Sequence, residues 1–572
     1  MADMTHNTSQ EDDSFPQDTS GLPEARANAV VTLADGDVLP LTIGPVRKAI
    51  QGSMLRMLAY NGSIPGPLLR VKQGTTVRVE VTNDAGLDQT VHWHGLRLDN
   101  RFDGVPYDTQ QPIPTGGRYS CELQFPDPGL YWYHPHIRED YAQEMGLYGQ
   151  IIVDPTNPDY WPPVNRDIAL TIDDLLLHDG QLPAFHRSGP TYTMMGRFGT
   201  ILLINGEQDA SFAVTRGEVV RLYLTNTANT RVFNLAITGA TLKLIGGDSG
   251  RYERDELVDS ILLSPSERAI VDVLFDQSAT AVLEHRTPHG SSRLATFAVA
   301  DAAASPSLAD TYRRLRTDPE LEAEHAALSA HRDRAPDKTL QFVGEMDMSG
   351  MDMGSMDMGG TDMGSTDMGG TDMGHMDMSG TDIGSMDMGR HDDKAPEMQG
   401  HGMKGVPGHS DFGGMEHHGM GGADSHGMQQ AETDDGIEWE DTMPDMNVMS
   451  SPSNMVWKIV DTSTGAVNQE ISWTLHVGER VKIRLENAAG SDHQMHHPFH
   501  VHGAGRFLVL DRGGVPEPNL VWKDTVLVRA GEVVNILFHV TNPGRWMAHC
   551  HIAEHIESGM MFSFDVLETS AA

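Results

Sequence analysis

Three stretches of this 572-residue chain repeat one phrase, a glycine, then an alternating apolar and polar run, with the second and third ending in asparagine: Thr75–Val81, Glu218–Asn226 and Glu479–Asn487. Alternation with a period of two puts the apolar side chains on one face of a strand, and that face has to be covered by a second sheet. One phrase per domain therefore predicts an all-β chain of three β-sandwiches, with turns at the intervening Gly, Pro and Asn residues and antiparallel patterning. The expected boundaries are a disordered segment over 1–26, sandwiches over 27–160 and 161–300, a helical connector over 301–336 and a third sandwich over 337–568. A surface helix is predicted over 306–333, where Leu308, Tyr312, Leu315, Leu321 and Leu328 stand among charged residues, bridging the second and third sandwiches.

The third sandwich is interrupted. Lys338–Val343 and Met455–Val460 read as its first strands, and 346–450 between them as a low-complexity insertion. Asp347, Asp352, Asp357, Asp362, Asp367, Asp372, Asp377, Asp382 and Asp387 recur every five residues, nearly always followed by Met, and a tract of His and Met follows from His401 to Met428. A segment rich in Gly, Ser, Asp and Met buries too little to fold alone and is expected to be disordered. Its thioethers, imidazoles and carboxylates are a plausible collecting surface for copper ions.

The formal charge is −40, and 23 acidic against 3 basic residues between Glu345 and Ser450 supply half of it. That balance excludes a nucleic-acid partner and argues against an anionic membrane surface. No apolar span predicts a transmembrane helix. Met1 to about Arg26 lacks the apolar core of a signal peptide, so the expectation is a cytoplasmic protein, or a periplasmic or extracellular one whose export signal has been removed. There are two cysteines. No intrachain disulfide is expected, because Cys550 has another use and Cys121 reads as a small packing residue.

That use follows from the run His549-Cys550-His551-Ile552-Ala553-Glu554-His555, closed by Met560. On a strand His549 and His551 share one face and Cys550 points to the other, so the tripeptide can serve two separate metal centres. A thiolate, an imidazole and a weak axial thioether, from Cys550, His555 and Met560, suit a trigonal copper site for electron transfer. Three further clusters hold paired histidines: His92-Trp93-His94, His134-Pro135-His136 and His497-Pro498-Phe499-His500-Val501-His502. His497 stands at an odd offset from His500 and is expected on the Cys550 side. Eight histidines then remain for a second cluster.

These four motifs, in this order, resemble the multicopper oxidase family, which includes laccases, cuprous oxidases and bilirubin oxidases. The resemblance implies three cupredoxin-like Greek-key domains and four copper ions. It makes His497, Cys550, His555 and Met560 the type 1 ligands and His92 and His500 the type 2 pair. His94, His134 and His551 would hold one type 3 copper, and His136, His502 and His549 the other, in a cluster between the first and third domains. It further implies one-electron oxidation of a small donor, Cu(I) or a phenol, coupled to reduction of O2 to water. Trp522-Lys523-Asp524-Thr525 and Met547-Ala548-His549 resemble copper-tolerance oxidases and favour Cu(I); a phenol, bilirubin or manganese oxidase, or a copper-sequestering protein, is the alternative.

Protons for O2 reduction need an acid. Asp103, in Arg101-Phe102-Asp103-Gly104, resembles the family acid after the first histidine motif. Many bacterial relatives place Glu directly after the type 1 histidine, where this chain has Ile556, which leaves Glu557 and Glu554 as substitutes. The middle domain lacks any such motif and is expected to be a spacer, with His178 and His186 ordinary polar positions.

Overall fold

The structure is a computed structural model and describes residues 13–277, 280–347, 435–487 and 490–569. In the first sandwich, Ser53–Tyr60, Val38–Ile50, Thr76–Asn83 and Arg118–Gln124 form one sheet. Val30–Leu33, Leu68–Lys72, Gly149–Asp154, Gly129–His134 and His92–His94 form the other. Leu41, Val79 and Leu123 of the first sheet and Val71, Tyr131 and Ile151 of the second share one buried core. The second and third sandwiches each pair a six-stranded with a five-stranded sheet.

The three repeated phrases occupy equivalent central strands. Thr76–Asn83 lies between Val38–Ile50 and Arg118–Gln124, Glu218–Asn226 between Arg166–Leu175 and Arg268–Phe275, and Arg480–Asn487 between Lys338–Met346 and Val533–Val540. An asparagine ends each strand, and its buried amide bridges two carbonyls: Asn83 to Leu87 and Ile113, Asn226 to Arg231 and Leu263, Asn487 to Met495 and Val528. The loops that leave these strands would otherwise carry unpaired buried carbonyls.

The sheets are mixed, where alternation alone led to an antiparallel expectation. Val38–Ile43 runs parallel to Arg78–Asn83, Arg166–Ile172 to Val220–Asn226, and Lys338–Phe342 to Ile483–Asn487. Alternation reports that one face is buried and is silent on the direction of the neighbouring strand.

Two termini of the expected domains also differ. Residues 13–26 are packed: Phe15 stacks on Tyr141 at 3.9 Å, and its N–H donates to Phe185 at 2.9 Å. Residues 435–450 are likewise packed, against both the second and the third sandwich. Ile437 and Trp439 are buried against Val232 and Leu527, Asn447 accepts from the Met195 N–H at 3.1 Å, and Ser450 from the Met194 N–H at 2.9 Å. Residues 348–434, with most of the Asp repeat and all of the His-Met tract, lie outside the described residues.

The connector does bridge. Pro319–Arg332 is a helix opened by Asp318, whose side chain accepts from the N–H groups of Glu320 and Leu321, the usual way to satisfy a helix start. Its Leu321 and Leu328 pack on Leu508, Leu510, Leu520 and Leu537 of the third sandwich, and Tyr312, in the short helix Ala309–Tyr312, packs on Val219 and Leu274 of the second. The break before Pro319 divides the one expected helix into two. Among the described residues no helix is long and apolar enough to cross a membrane.

Candidate metal centre

Two neighbouring strands in the first sandwich and two in the third bring the histidines together. His92 is the cross-strand partner of His134, and His500 of His549, so paired positions two residues apart turn to a common side. Eight imidazoles meet there, from His92, His94, His134, His136, His500, His502, His549 and His551, all buried. The rings of His94, His134 and His551 lie 5.7, 5.0 and 5.0 Å apart. Those of His136, His502 and His549 lie 5.2, 5.5 and 5.2 Å apart. His92 and His500 stand 5.8 Å from each other.

Each ring except His551 is tethered by one nitrogen. Nδ1 of His92, His134, His500 and His549 meets the carbonyls of Asp103, Pro135, Asp524 and Cys550 at 2.7, 2.8, 2.9 and 2.9 Å. Nδ1 of His502 meets Asp103 Oδ2 at 2.7 Å, and Nδ1 of His136 meets Glu139 Oε1 at 3.3 Å. His94 is reversed: its Nε2 meets Asp524 Oδ1 at 3.0 Å, which leaves Nδ1 inward. The opposite nitrogens of His92, His94, His134, His136 and His500 have no hydrogen-bond partner although they are buried, and neither nitrogen of His551 has one. Nε2 of His502 and His549 approach each other to 3.1 Å.

Buried nitrogens without partners are costly unless something else takes their lone pairs. Burial first, then the neighbouring imidazoles, holds His94, His134, His136, His500 and His549 well below the ordinary histidine range, with His502 at about 4. The rings are thus neutral, with free lone pairs, and their tethers fix the tautomer that a metal ligand needs.

A second cluster lies on the opposite side of the same tripeptide. Cys550 Sγ is 3.5 Å from His497 Nδ1 and 3.6 Å from His555 Nδ1. Met560 is buried in the same core, its carbonyl accepting from the Cys550 N–H at 3.2 Å and its N–H donating to His555 at 3.0 Å. Trp457 stacks on His555 at 4.3 Å and meets the edge of His497 at 4.8 Å. Burial pushes the Cys550 thiol up, so only a bound cation would make it a thiolate there. A thiol, two imidazoles and a thioether fit copper. Cys121, by contrast, is a buried packing residue whose Sγ faces the Val79 carbonyl at 3.8 Å.

Of the three candidate acids, Asp103 and Glu557 lie beside the eight-histidine cluster. Asp103 is fully buried, with Oδ2 on His502 and Oδ1 3.4 Å from His92 Nδ1. Burial, the largest influence, pushes its carboxyl up, yet His502 and His92 beside it hold it well below the usual carboxylate range. Gly104, at φ +85°, follows it because any Cβ would stand 2.1 Å from the Val91 carbonyl oxygen. Glu557 Oε1 accepts from the Glu139 N–H at 2.9 Å. Glu554 turns away, accepting instead from Thr230 Oγ1 of the middle sandwich at 3.3 Å, and burial pushes it up to about 8.

Two residues escaped the sequence reading. Glu139, three after His136, is buried against His136 and, with Glu557, Pro106, Met547, Ile556 and Met561, lines a cleft of about 550 Å³ that reaches His136. Its only sequence signal was that spacing. The other is Arg268 of the middle sandwich, which donates from Nη1 and Nη2 to Asp524 at 2.7 and 2.6 Å. The middle domain is therefore more than a spacer: it reaches the residue that tethers His94.

Multicopper oxidase family models match residues 43–158, 176–283 and 438–570, one per sandwich. Copper resistance protein A of Escherichia coli is 26% identical over 583 residues, covering 93% of each chain. The multicopper oxidase MmcO of Mycobacterium tuberculosis is 29% identical over 46% of this chain, which spans 57% of MmcO. Among solved structures, the McoA multicopper oxidase of Aquifex aeolicus superposes with a TM-score of 0.63 at 20% identity, covering 96% of this chain and 99% of that one, and so shares the fold. With three family matches covering more than half its length, each on a sandwich that the structure describes, the chain belongs to the multicopper oxidase family.

Proposed function

We propose that this chain binds four copper ions and uses them to couple one-electron oxidation of a small donor, Cu(I) in the first place, to four-electron reduction of O2 to water. His497, Cys550, His555 and Met560 would hold type 1 copper and His92 and His500 type 2. His94, His134 and His551 would hold one type 3 copper, and His136, His502 and His549 its partner. The observation that carries the reading is the inward set of buried, unpartnered nitrogens on rings whose other nitrogens are tethered. Bound copper would supply the redox chemistry, taking electrons singly at the type 1 site and delivering them to dioxygen at the cluster.

The chain's own part is to orient, connect and exclude. Cys550 is bonded through the backbone to His549 and His551, so a short covalent path joins the two clusters. The cleft that reaches His136 has apolar walls from Pro106, Met547, Ile556 and Met561 and charged ones from Asp108, Arg138, Glu139 and Glu557, and would admit both dioxygen and protons. Asp103 would relay protons through Oδ1, the oxygen without a hydrogen-bond partner, while Oδ2 keeps the His502 tether, with Glu557 and Glu139 at the cleft wall as the further acids.

The choice of donor rests on access. His497 is 1% and His555 0% exposed, both rings packed against Trp457, which disfavours a bulky aromatic donor that needs direct contact with a ring edge. Met560, as the thioether among the residues that would hold type 1 copper, would give a modest potential, which favours an easily oxidised donor. The Asp, Met and His residues of 347–428 would bind further copper ions on the same chain. Metal analysis, followed by steady-state kinetics with Cu(I), a phenol, bilirubin and Mn(II) side by side, tests the proposal: the highest kcat/KM should belong to Cu(I), and a preference for one of the others would reassign the donor.

A further inference from the structure

Arg268 begins the middle sandwich's strand Arg268–Phe275, yet it bonds to all three sandwiches. Its backbone N–H donates to Asp248 of its own domain at 3.0 Å. Nε donates to the Leu130 carbonyl of the first domain at 3.0 Å, and Nη1 and Nη2 grip Asp524 of the third. Arginine and aspartate are both buried, and such a pair persists only where the geometry is good and the remaining donors and acceptors are satisfied.

They are satisfied by the copper cluster's own tethers. Asp524 Oδ1 accepts from Arg268 and from Thr525 Oγ1 at 3.0 Å and faces His94 Nε2, also at 3.0 Å, while the Asp524 carbonyl faces His500 Nδ1 at 2.9 Å. Lys523, the residue before Asp524, is engaged with Asp248 at 3.2 Å and Glu267 at 3.1 Å. Gly95, at φ +85°, leaves room for the pair: a Cβ there would stand 2.6 Å from Asp524 Oδ2 and 2.7 Å from Arg268 Nη2. Asp524 is thus held by one planar fork and in turn holds His94, the one tethered ring that points Nδ1 rather than Nε2 inward.

We infer that Arg268 is a positioning residue for the copper cluster: by fixing the Asp524 carboxylate it selects which nitrogen His94 turns inward and steadies His500, so that loading of the cluster depends on the middle sandwich. This rests on the copper reading above. A lysine in its place would keep the charge but lose the fork, because an ammonium cannot meet both carboxylate oxygens in one plane while also serving Leu130.

The test compares wild type, Arg268→Lys and the double variant Arg268→Met with Asp524→Asn, which leaves no charge unpaired. Each is measured for copper content, blue absorbance per chain, the type 2 electron paramagnetic resonance signal, and thermal melting without copper. Wild type with blue absorbance and a type 2 signal establishes the copper reading independently. Arg268→Lys is then expected to melt cooperatively and keep its blue band, since the hydrogen bonds of Arg268 go to Asp248, Leu130, Ser266 and Asp524 rather than to Cys550, His497 or His555, but to bind cluster copper roughly 10–100-fold more weakly and with a shifted type 2 signal. The double variant should behave likewise. Wild-type copper content and an unchanged type 2 signal in either folded variant would overturn the inference. Failure of both to fold would overturn it too, by reducing Arg268 to a clamp between domains.

Discussion

Cys550 Sγ lies 3.5 Å from His497 Nδ1, although 53 residues separate them, while His549 and His551 on either side of Cys550 turn their rings toward the eight-histidine cluster. One strand end thus serves two centres, and the account makes Cys550 the link between them.

Replacing Cys550 by Ser removes the thiolate whose charge transfer to copper gives the blue colour, and leaves the eight-histidine cluster intact. The expected result is loss of the visible band and of turnover, with about three copper ions still bound. Visible absorption and metal analysis on one sample check both parts, and a retained blue band would remove Cys550 from the ligand set.

Asp103→Asn keeps the shape and a hydrogen-bond acceptor for His502 but cannot cycle a proton. Blue absorbance should persist while reoxidation of the reduced protein by O2 slows, by about 100-fold if Asp103 supplies ordinary acid catalysis. Stopped-flow reoxidation at wild-type rate would leave Asp103 as a tether for His502 and no more.

Glu554 offers a pH test on the copper-free protein. Burial pushes its folded-state value up from 4.5 to about 8. Below pH 4.5 folded and unfolded chains both hold this proton; as pH rises toward 8 only the unfolded chain releases it, so stability falls across that window and levels off above it. Glu554→Gln cannot titrate. Its melting temperature should exceed that of wild type at pH 8, and the difference should shrink toward pH 5. A constant offset across this range would mean that Glu554 is ionised in the folded protein.

How much of this was legible in sequence depended on whether a relationship had a period. The sides taken by His497, His500, Cys550 and His551 follow from alternation along single strands, and the three central strands announced themselves by repetition. Pairings between domains carry no period. Asp524 lies 430 residues from His94 and 256 from Arg268, and nothing local marks the three as partners. Parallel pairing was invisible for the same reason. The run from Asp435 to Ser450 misled differently: its acidic composition continues that of the insertion, and only Ile437, Trp439, Asn447 and Ser450 betray that it packs. Phe15, a lone aromatic in a polar segment, misled likewise.

That correction sets the limits of a deletion. Removing 346–450 would take Trp439 and Asn447 out of their packing, whereas excising 348–434 and closing with a short Gly/Ser link spares them. The shorter deletion is expected to retain the copper ions and the melting temperature, to lower kcat/KM for Cu(I), and to leave phenol oxidation level or higher. Equal loss of both activities would assign the segment a structural role, and no change in either would remove it from copper handling.

In the proposed function the two clusters together take dioxygen to water. An oxygen electrode with Cu(I) as donor, with catalase added when uptake ends, tests it most directly. One O2 should be consumed for about four Cu(I) oxidised, with no oxygen returned by catalase. No uptake above the copper-free control, or oxygen returned as from released peroxide, would contradict it.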